Sequence, residues 1–254
     1  MRIAIGLEYR GVGFCGWQSQ PQGCGVQDAL EAAVSAIAGA KTAVVAAGRT
    51  DTGVHAAFQA AHFDVDVARP LSAWVRGVNS HLPPGVAVLW AREVGADFHA
   101  RFAATERGYR YVLLNHPVRT GLHEGLVGWH HRPLDAERMN AAAGRLLGRH
   151  DFSAFRAAEC QAKTPVKELR LARIERRDFR ADGFLHHMVR NLMGGLIQVG
   201  AGAQPPDWLR EVLEGRDRSR AAPTFDAAGL YLTHIRYPAH FALPESSERW
   251  PFAA

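Results

Sequence analysis

A chain of 254 residues, 47% hydrophobic and 22% charged, is long enough to bury a sizeable core as one large domain or two modest ones, and too apolar to stay disordered. Of its thirty basic residues only Lys41, Lys163 and Lys167 are lysines, which leaves twenty-seven arginines in a chain of net charge +5. Guanidinium groups pair with phosphates and stack on bases, so nucleic acid is a natural partner, while no apolar run reaches the length of a membrane span.

The first element is "RIAIGLEY", where alternating Ile3, Ile5, Leu7 and Tyr9 predict a half-buried strand. Its short apolar stretch, broken by Glu8, makes a poor signal peptide and suits a cytoplasmic protein. Cys15, Cys24 and Cys160 form an odd set without a C-x-x-C pair, so they are expected as reduced thiols. Val26, Leu30, Ala33, Val34 and Ile37 then fall on one helical stripe that Gly39 can end, and "TAVVAAGR", residues 42–49, reads as a buried strand. A helix carrying Leu71, Trp74, Val75 and Val78 stops at Pro83 and Pro84, before a strand near Val86 to Val94.

A second set follows. It comprises a strand from about Gly108 to Asn115, a helix near Leu134 to Leu147, a strand through "LRLARIERRDF", a helix from about Phe184 to Val199, a short helix around Pro206 to Glu214 and a last strand, "LYLTHIRYP". "HDFSAFRAAECQAKTPVKEL" lacks a clear period and reads as an ordered loop. The two sets predict an α+β fold of two similar subdomains, residues 1–104 and 105–254, with largely antiparallel sheets and helices on one face.

Several motifs compete for the chemistry. "GVGFCG" spells G-x-G-x-x-G after a strand, yet Pro21, Gly23 and Gly25 stand where a pyrophosphate-binding helix should begin, which argues against a dinucleotide cofactor. The histidine pairs 130/131 and 186/187 diverge on any regular element, no H-E-x-x-H occurs, and neither G-x-S-x-G nor a nucleotide-phosphate loop is present. "GRTDTGVH" remains. Asp51-Thr52-Gly53 suits a plain turn, but if the strand persists to Asp51, Arg49 and Asp51 point the same way and the arginine favours an ionised acid able to act as nucleophile or base.

In "FLHHMVRNLMGGLIQVG" only a narrow polar stripe of His187, Arg190, Asn191, Gly194 and Gln198 interrupts the apolar surface, so the helix must be buried and Arg190 needs an anionic partner. "ERGYRY" sets Arg107, Tyr109 and Tyr111 on one strand face, an arrangement suited to base stacking beside phosphate. Arg216, Arg218 and Arg220 of "GRDRSRA" are expected to face water.

Together "GFCGWQSQ", "AGRTDTGVHA", "HDFSAF" and "FLHHMVRNLMGGL", four ordered blocks spanning nearly the whole chain, resemble the tRNA pseudouridine synthases of the TruA type. The last glycine of the dinucleotide-like motif is then the one in "GWQ". The resemblance implies the pseudouridine synthase fold, no cofactor or metal, and a homodimer whose basic cleft takes the anticodon arm of tRNA. It implies isomerisation of uridines at positions 38–40 of the anticodon stem-loop. By that resemblance Asp51 is the catalytic acid, Arg49 serves base flipping, Tyr109 packs on the uracil, Arg190 pairs with the aspartate, and Leu230, in a block similar to A/G-P-x-x-x-x-x-G-L, walls the base. Thr52 departs from the family's usual alanine, and "TFDAA" before Gly229 differs from its common version. A non-catalytic RNA-binding protein on the same scaffold, a base-excising glycosidase and a dinucleotide-dependent oxidoreductase are the alternatives.

Overall fold

A computed structural model describes residues 1–174 and 179–245. They belong to two compact units, one of Met1–Glu106 with the chain from Tyr231 onward, the other of Arg107–Leu230. The expected division at residue 104 therefore needs correction at its far end: the last strand belongs with the first unit, because it pairs there in parallel, Tyr231 with His55 and Leu232 with Ala56.

The first unit contains β1 (Arg2–Tyr9), α1 (Val26–Ala38), β2 (Val45–Ala46), β3 (His55–Asp64), α2 (Val78–His81) preceded by a π-helical turn at Ala73–Gly77, β4 (Val86–Val94) and β11 (Leu230–Arg236). Its sheet runs β4-β1-β3-β11, with β2 also on β3. β1 is antiparallel to both neighbours, Ile5 opposite Ala61 on one side and Ala91 on the other. α1 starts where Asp28 accepts the Gly25 N–H at 2.8 Å and ends at Gly39, whose φ of 74° is the left-handed conformation a glycine adopts at little cost. Trp74, fully buried, meets Phe63 of β3 edge-on at 5.2 Å between ring centroids.

β3 is the longest strand described, and the sequence reading did not anticipate it. All of its residues but the last are buried. A strand covered on both faces shows no polar-apolar alternation, and "HAAFQAAHFD" mixes alanine with His and Gln that only the fold satisfies. Conversely, the strand expected over residues 42–49 shrinks to Val45–Ala46.

His62 on β3 is buried, and its Nδ1 accepts the Ala100 N–H at 3.2 Å. Burial, with Arg2 and His99 nearby, pushes its pKa down to about 4. The unfolded chain, with a histidine near 6.5, then binds more protons between these values. The contribution to stability is complete above about pH 6.5 and is lost as pH falls toward 4, on the order of 2 kcal/mol. Urea unfolding of wild type and His62→Gln across that window should show the wild type losing more stability on acidification; parallel curves would refute it.

The second unit contains β5 (Glu106–Tyr111), β6 (Leu113–Asn115), β7 (Gly128–His130), α3 (Ala136–Gly144), β8 (Gly148–Asp151), β9 (Val166–Ala172), β10 (Phe179–Ala181), α4 (Met188–Gly200) and α5 (Trp208–Gly215). β5-β10-β9-β8 form an antiparallel sheet, and β6 pairs in parallel with β7. Asp135 caps α3 by accepting the Glu137 and Arg138 N–H groups, each at 3.0 Å. α4 is buried on almost every side, as its apolar sequence requires. Its glycines admit the flanking helices: a Cβ at Gly195 would stand 2.4 Å from Leu209 of α5, and one at Gly200 2.7 Å from Met139 of α3.

The helix expected from Phe184 begins later, because His187 takes a left-handed conformation ahead of Met188. The segment expected as a loop after residue 149 holds the second half of β8, a 3-10 turn at Ser153–Phe155 and the start of β9. Of the strand expected through "LRLARIERRDF", residues 175–178 lie outside those described. The α+β class with mainly antiparallel sheets is the observed one.

Candidate active site

Asp51 lies in the loop between β2 and β3, past the end of the strand that was expected to carry it. A shared strand face with Arg49 is therefore not what orients the acid. A turn does so: the Val54 N–H donates to the Asp51 carbonyl at 3.1 Å, and Gly53 at φ 79° supplies the left-handed residue such a turn needs. Both readings of the corner, turn and chemistry, can hold at once, since the turn uses the backbone of Asp51.

Neighbouring segments clamp this loop. Gln59 of β3 donates its Nε2 to the Gly48 carbonyl at 2.7 Å, and the Trp17 N–H donates to the Thr50 carbonyl at 2.9 Å. The buried hydroxyls of Tyr9 and Thr50 are 2.8 Å apart and hydrogen-bonded. On the far side, buried His55 accepts the Gly11 N–H on Nδ1 at 3.1 Å and stacks on Tyr231 with centroids 4.5 Å apart. Asp51 itself stays half-buried and Arg49 exposed, on a backbone fixed from both ends.

The same contacts explain the glycines of "GVGFCG". A Cβ on Gly11 would sit 2.2 Å from the Val54 carbonyl oxygen, and one on Gly16 2.7 Å from that of Thr50. These glycines let one stretch of main chain lie directly on the Asp51 loop. No helix follows until Val26, so the segment lacks the strand-turn-helix form of a dinucleotide site.

Cys15 and Cys24 are joined in a disulfide with Cα atoms 5.4 Å apart, where thiols were expected. The Cys15 N–H donates to the Cys24 carbonyl at 2.9 Å, closing a loop whose ends the spacing alone did not reveal. Cys160 is a buried free thiol.

Tyr109 and Arg190 belong to the second unit, as does Leu230, its last residue and the first of β11, whose remaining residues belong with Arg49 and Asp51 to the first. Tyr109 on β5 is buried and meets Phe184 edge-on at 4.9 Å. Arg190, in the first turn of α4, donates its Nε to the Phe225 carbonyl at 2.9 Å, and the Phe225 N–H donates back to the Arg190 carbonyl at 3.2 Å. Gly194, one turn on, lies where a Cβ would be 2.2 Å from the Pro223 carbonyl oxygen. Helix α4 is thus laced to the "APTFDAAGL" stretch by its backbone.

Two residues emerge that sequence reasoning did not single out for these roles. Tyr111 donates its hydroxyl to the Asp226 carbonyl at 2.8 Å, and burial pushes its pKa well above the usual phenol range. With the Val112 N–H to Gly229 carbonyl bond at 2.8 Å, it fixes the chain leading into buried Leu230. Asn191, fully buried, donates to the Phe155 carbonyl at 2.8 Å and accepts from Thr224 at 2.6 Å. It ties "HDFSAF" to "APTF". The signal for it was its place on the polar stripe beside Arg190.

An α+β chain with a clamped, half-exposed aspartate is the kind of scaffold that supports acid-base or nucleophilic chemistry. A family model described as tRNA pseudouridine synthase matches residues 7–103 and 142–238, one segment in each half of the sequence. The chain is 80% identical over 259 aligned positions to tRNA pseudouridine synthase A of Thiobacillus denitrificans, covering 100% of both. It is 58% identical to the protein of that name from Dechloromonas aromatica and 60% identical to that from Chromobacterium violaceum, in each case over 98% of this chain and 97% of the relative. The chain belongs to the tRNA pseudouridine synthase family, and is an isomerase.

Proposed function

We propose that the protein converts uridine to pseudouridine in the anticodon stem-loop of tRNA, with Asp51 as the group that opens the reaction. The observation that carries this reading is the Asp51 loop: its main chain is held by Tyr9, Trp17 and Gln59 while the acid remains half-buried at a solvent-facing corner. A carboxylate held this way is preorganised for a reacting atom.

The isomerisation breaks the N1–C1′ bond, turns the uracil and joins C5 to C1′; the C5 proton is lost and N1 ends protonated, so no electron or group is transferred. Asp51 begins it by attacking C1′ or uracil C6, or by removing the C2′ proton. A target within a stem must first leave the stack, at a cost of a few kcal/mol that phosphate and stacking contacts offset. Arg49 serves that flipping, Tyr109 supports the uracil, Arg190 supplies the counter-charge to the carboxylate and Leu230 an apolar wall. The protein acts as a homodimer in the cytoplasm, and the arginine surplus serves the tRNA backbone.

Tritium release from [5-³H]uridine-labelled tRNA, with the product nucleotide mapped, tests the reading. Release together with pseudouridine in the anticodon arm is the expected result. Release with pseudouridine elsewhere would overturn the assigned arm, and free uracil would indicate excision instead.

A further inference from the structure

The arginines of "GRDRSRA" do not all face water as expected. The second unit has a cavity of about 410 Å³ whose wall includes Ser153, Arg156, Arg216, Asp217 and Arg218. Arg156 and Arg218 are both half-buried there.

Their hydrogen-bond partners decide the electrostatics. Arg218 donates Nη1 to the Ala222 carbonyl at 2.9 Å, and Nη2 to Asn191 Oδ1 at 3.1 Å and Thr224 Oγ1 at 3.3 Å. Arg156 donates Nη2 to the Cys160 carbonyl at 3.2 Å. Among the described residues all of these acceptors are neutral. They orient the guanidinium groups without cancelling their charge, and a guanidinium has about five N–H donors, so each keeps some in reserve.

The nearby carboxylates are engaged elsewhere. Asp217 accepts the Ser219 N–H at 2.9 Å and its hydroxyl at 2.7 Å, capping the 3-10 turn at Arg218–Arg220. Asp151 accepts the Ser153 N–H and hydroxyl on one oxygen and faces exposed Arg216 at 3.6 Å with the other. Burial would raise the Asp151 pKa, but the Ser153 bonds and the Arg216 and Arg156 charges outweigh it and hold the acid ionised. Asp151 thus pairs with Arg216 and its charge also reaches Arg156, but among the described residues neither half-buried arginine forms an ion pair or hydrogen bond with a carboxylate. Taking cations partly out of water without an anion is costly, and a bound anion removes that cost.

We propose that this cavity is a phosphate-binding site for the backbone of the RNA substrate, with Arg156 and Arg218 as its charged donors. Arg218 is held by Asn191 and Thr224, which also link α4 to the "APTF" stretch, so phosphate binding here would brace the packing around Arg190. The inference rests on the tRNA reading above and adds a contact that none of the proposed catalytic roles requires.

Binding of labelled tRNA by fluorescence anisotropy, between about 50 and 300 mM KCl, tests it with Arg156→Gln, Arg218→Gln and, as a control for generic charge loss, Arg210→Gln. Arg210 is exposed and paired with Glu214 at 2.8 Å. Arg156→Gln should weaken binding about 3- to 10-fold at low salt and reduce the slope of log K against log salt by about 0.7 to 0.9, while Arg210→Gln leaves both unchanged. Arg218→Gln should do the same, and Arg156→Gln carries the test if loss of the Asn191 and Thr224 bonds unfolds it. A wild type that isomerises tRNA while Arg156→Gln binds it with wild-type affinity and slope overturns the site alone. Titration with inorganic phosphate separates sources: phosphate binding lost in Arg156→Gln with tRNA affinity intact makes the cavity a small-anion site and overturns the RNA assignment. A wild type without isomerase activity on tRNA overturns the reading beneath it instead.

Discussion

Asp51→Asn is expected to reduce turnover by roughly four to six orders of magnitude while changing tRNA affinity less than about twofold. The substitution is nearly isosteric and leaves intact the Asp51 carbonyl that receives the Val54 N–H, and asparagine suits the same turn. What it removes is the negative charge and the basic lone pair, which each of the three opening steps needs. Single-turnover tritium release and filter binding on the same preparation separate the two quantities. Near-normal release would show that the corner exists for its turn, and parallel losses of affinity and rate would show that the acid binds substrate instead of transforming it.

Gly16→Ala should be strongly damaging for a change of a single methyl group. Gly16 has φ 93° and would place its new Cβ 2.7 Å from the Thr50 carbonyl oxygen and 3.1 Å from the Asp51 carbonyl carbon, all main-chain atoms that cannot rotate away. Gly13 provides the matched comparison, since its φ is 88° but nothing lies within 4 Å of its Cβ position. Gly13→Ala should cost only the conformational strain, about 1 to 2 kcal/mol. Gly16→Ala adds displacement of the Asp51 loop, for a total of about 3 to 4 kcal/mol and a 100-fold or greater loss of kcat, on the scale that an ångström of misplacement produces. Urea midpoints and kcat for the two variants decide the matter; equal effects would mean that the main-chain contact does not position the acid.

Periodicity made most regular elements legible. α1 and β4 stand where the stripe from Val26 and the run from Val86 placed them, because each has one covered and one wetter face, and β1, though buried almost throughout, stands where Ile3 to Tyr9 placed it because its large apolar side chains alternate with Ala4, Gly6 and Glu8. β3 was illegible for the opposite reason, since burial on both sides removes the alternation that marks a strand. The position of Asp51 was readable as a motif, but its support was not: the clamp comes from Tyr9, Trp17 and Gln59, which are remote in sequence or ordinary in type. Arg218 shows the same limit. Three arginines at alternate positions look solvated, and only the fold reveals that one of them turns inward to Asn191 and Thr224. The Cys15–Cys24 bond was missed because proximity across a nine-residue separation depends on how the loop closes.

The parallel pairing of β11 with β3 has a temporal meaning. Tyr231 and Leu232 lie against His55 and Ala56, the residues directly after the Asp51 turn, so the sheet beneath the acid lacks one strand until the ribosome has made the whole intervening unit of Arg107–Leu230. That unit is continuous in sequence and can condense while synthesis proceeds, whereas the unit bearing Asp51 must wait, with an open strand edge, for a partner more than two-thirds of the chain away. Synthesis order therefore acts as a check on the enzyme: a chain interrupted before Tyr231 carries every residue assigned to the chemistry and still lacks the strand that completes the sheet beside it.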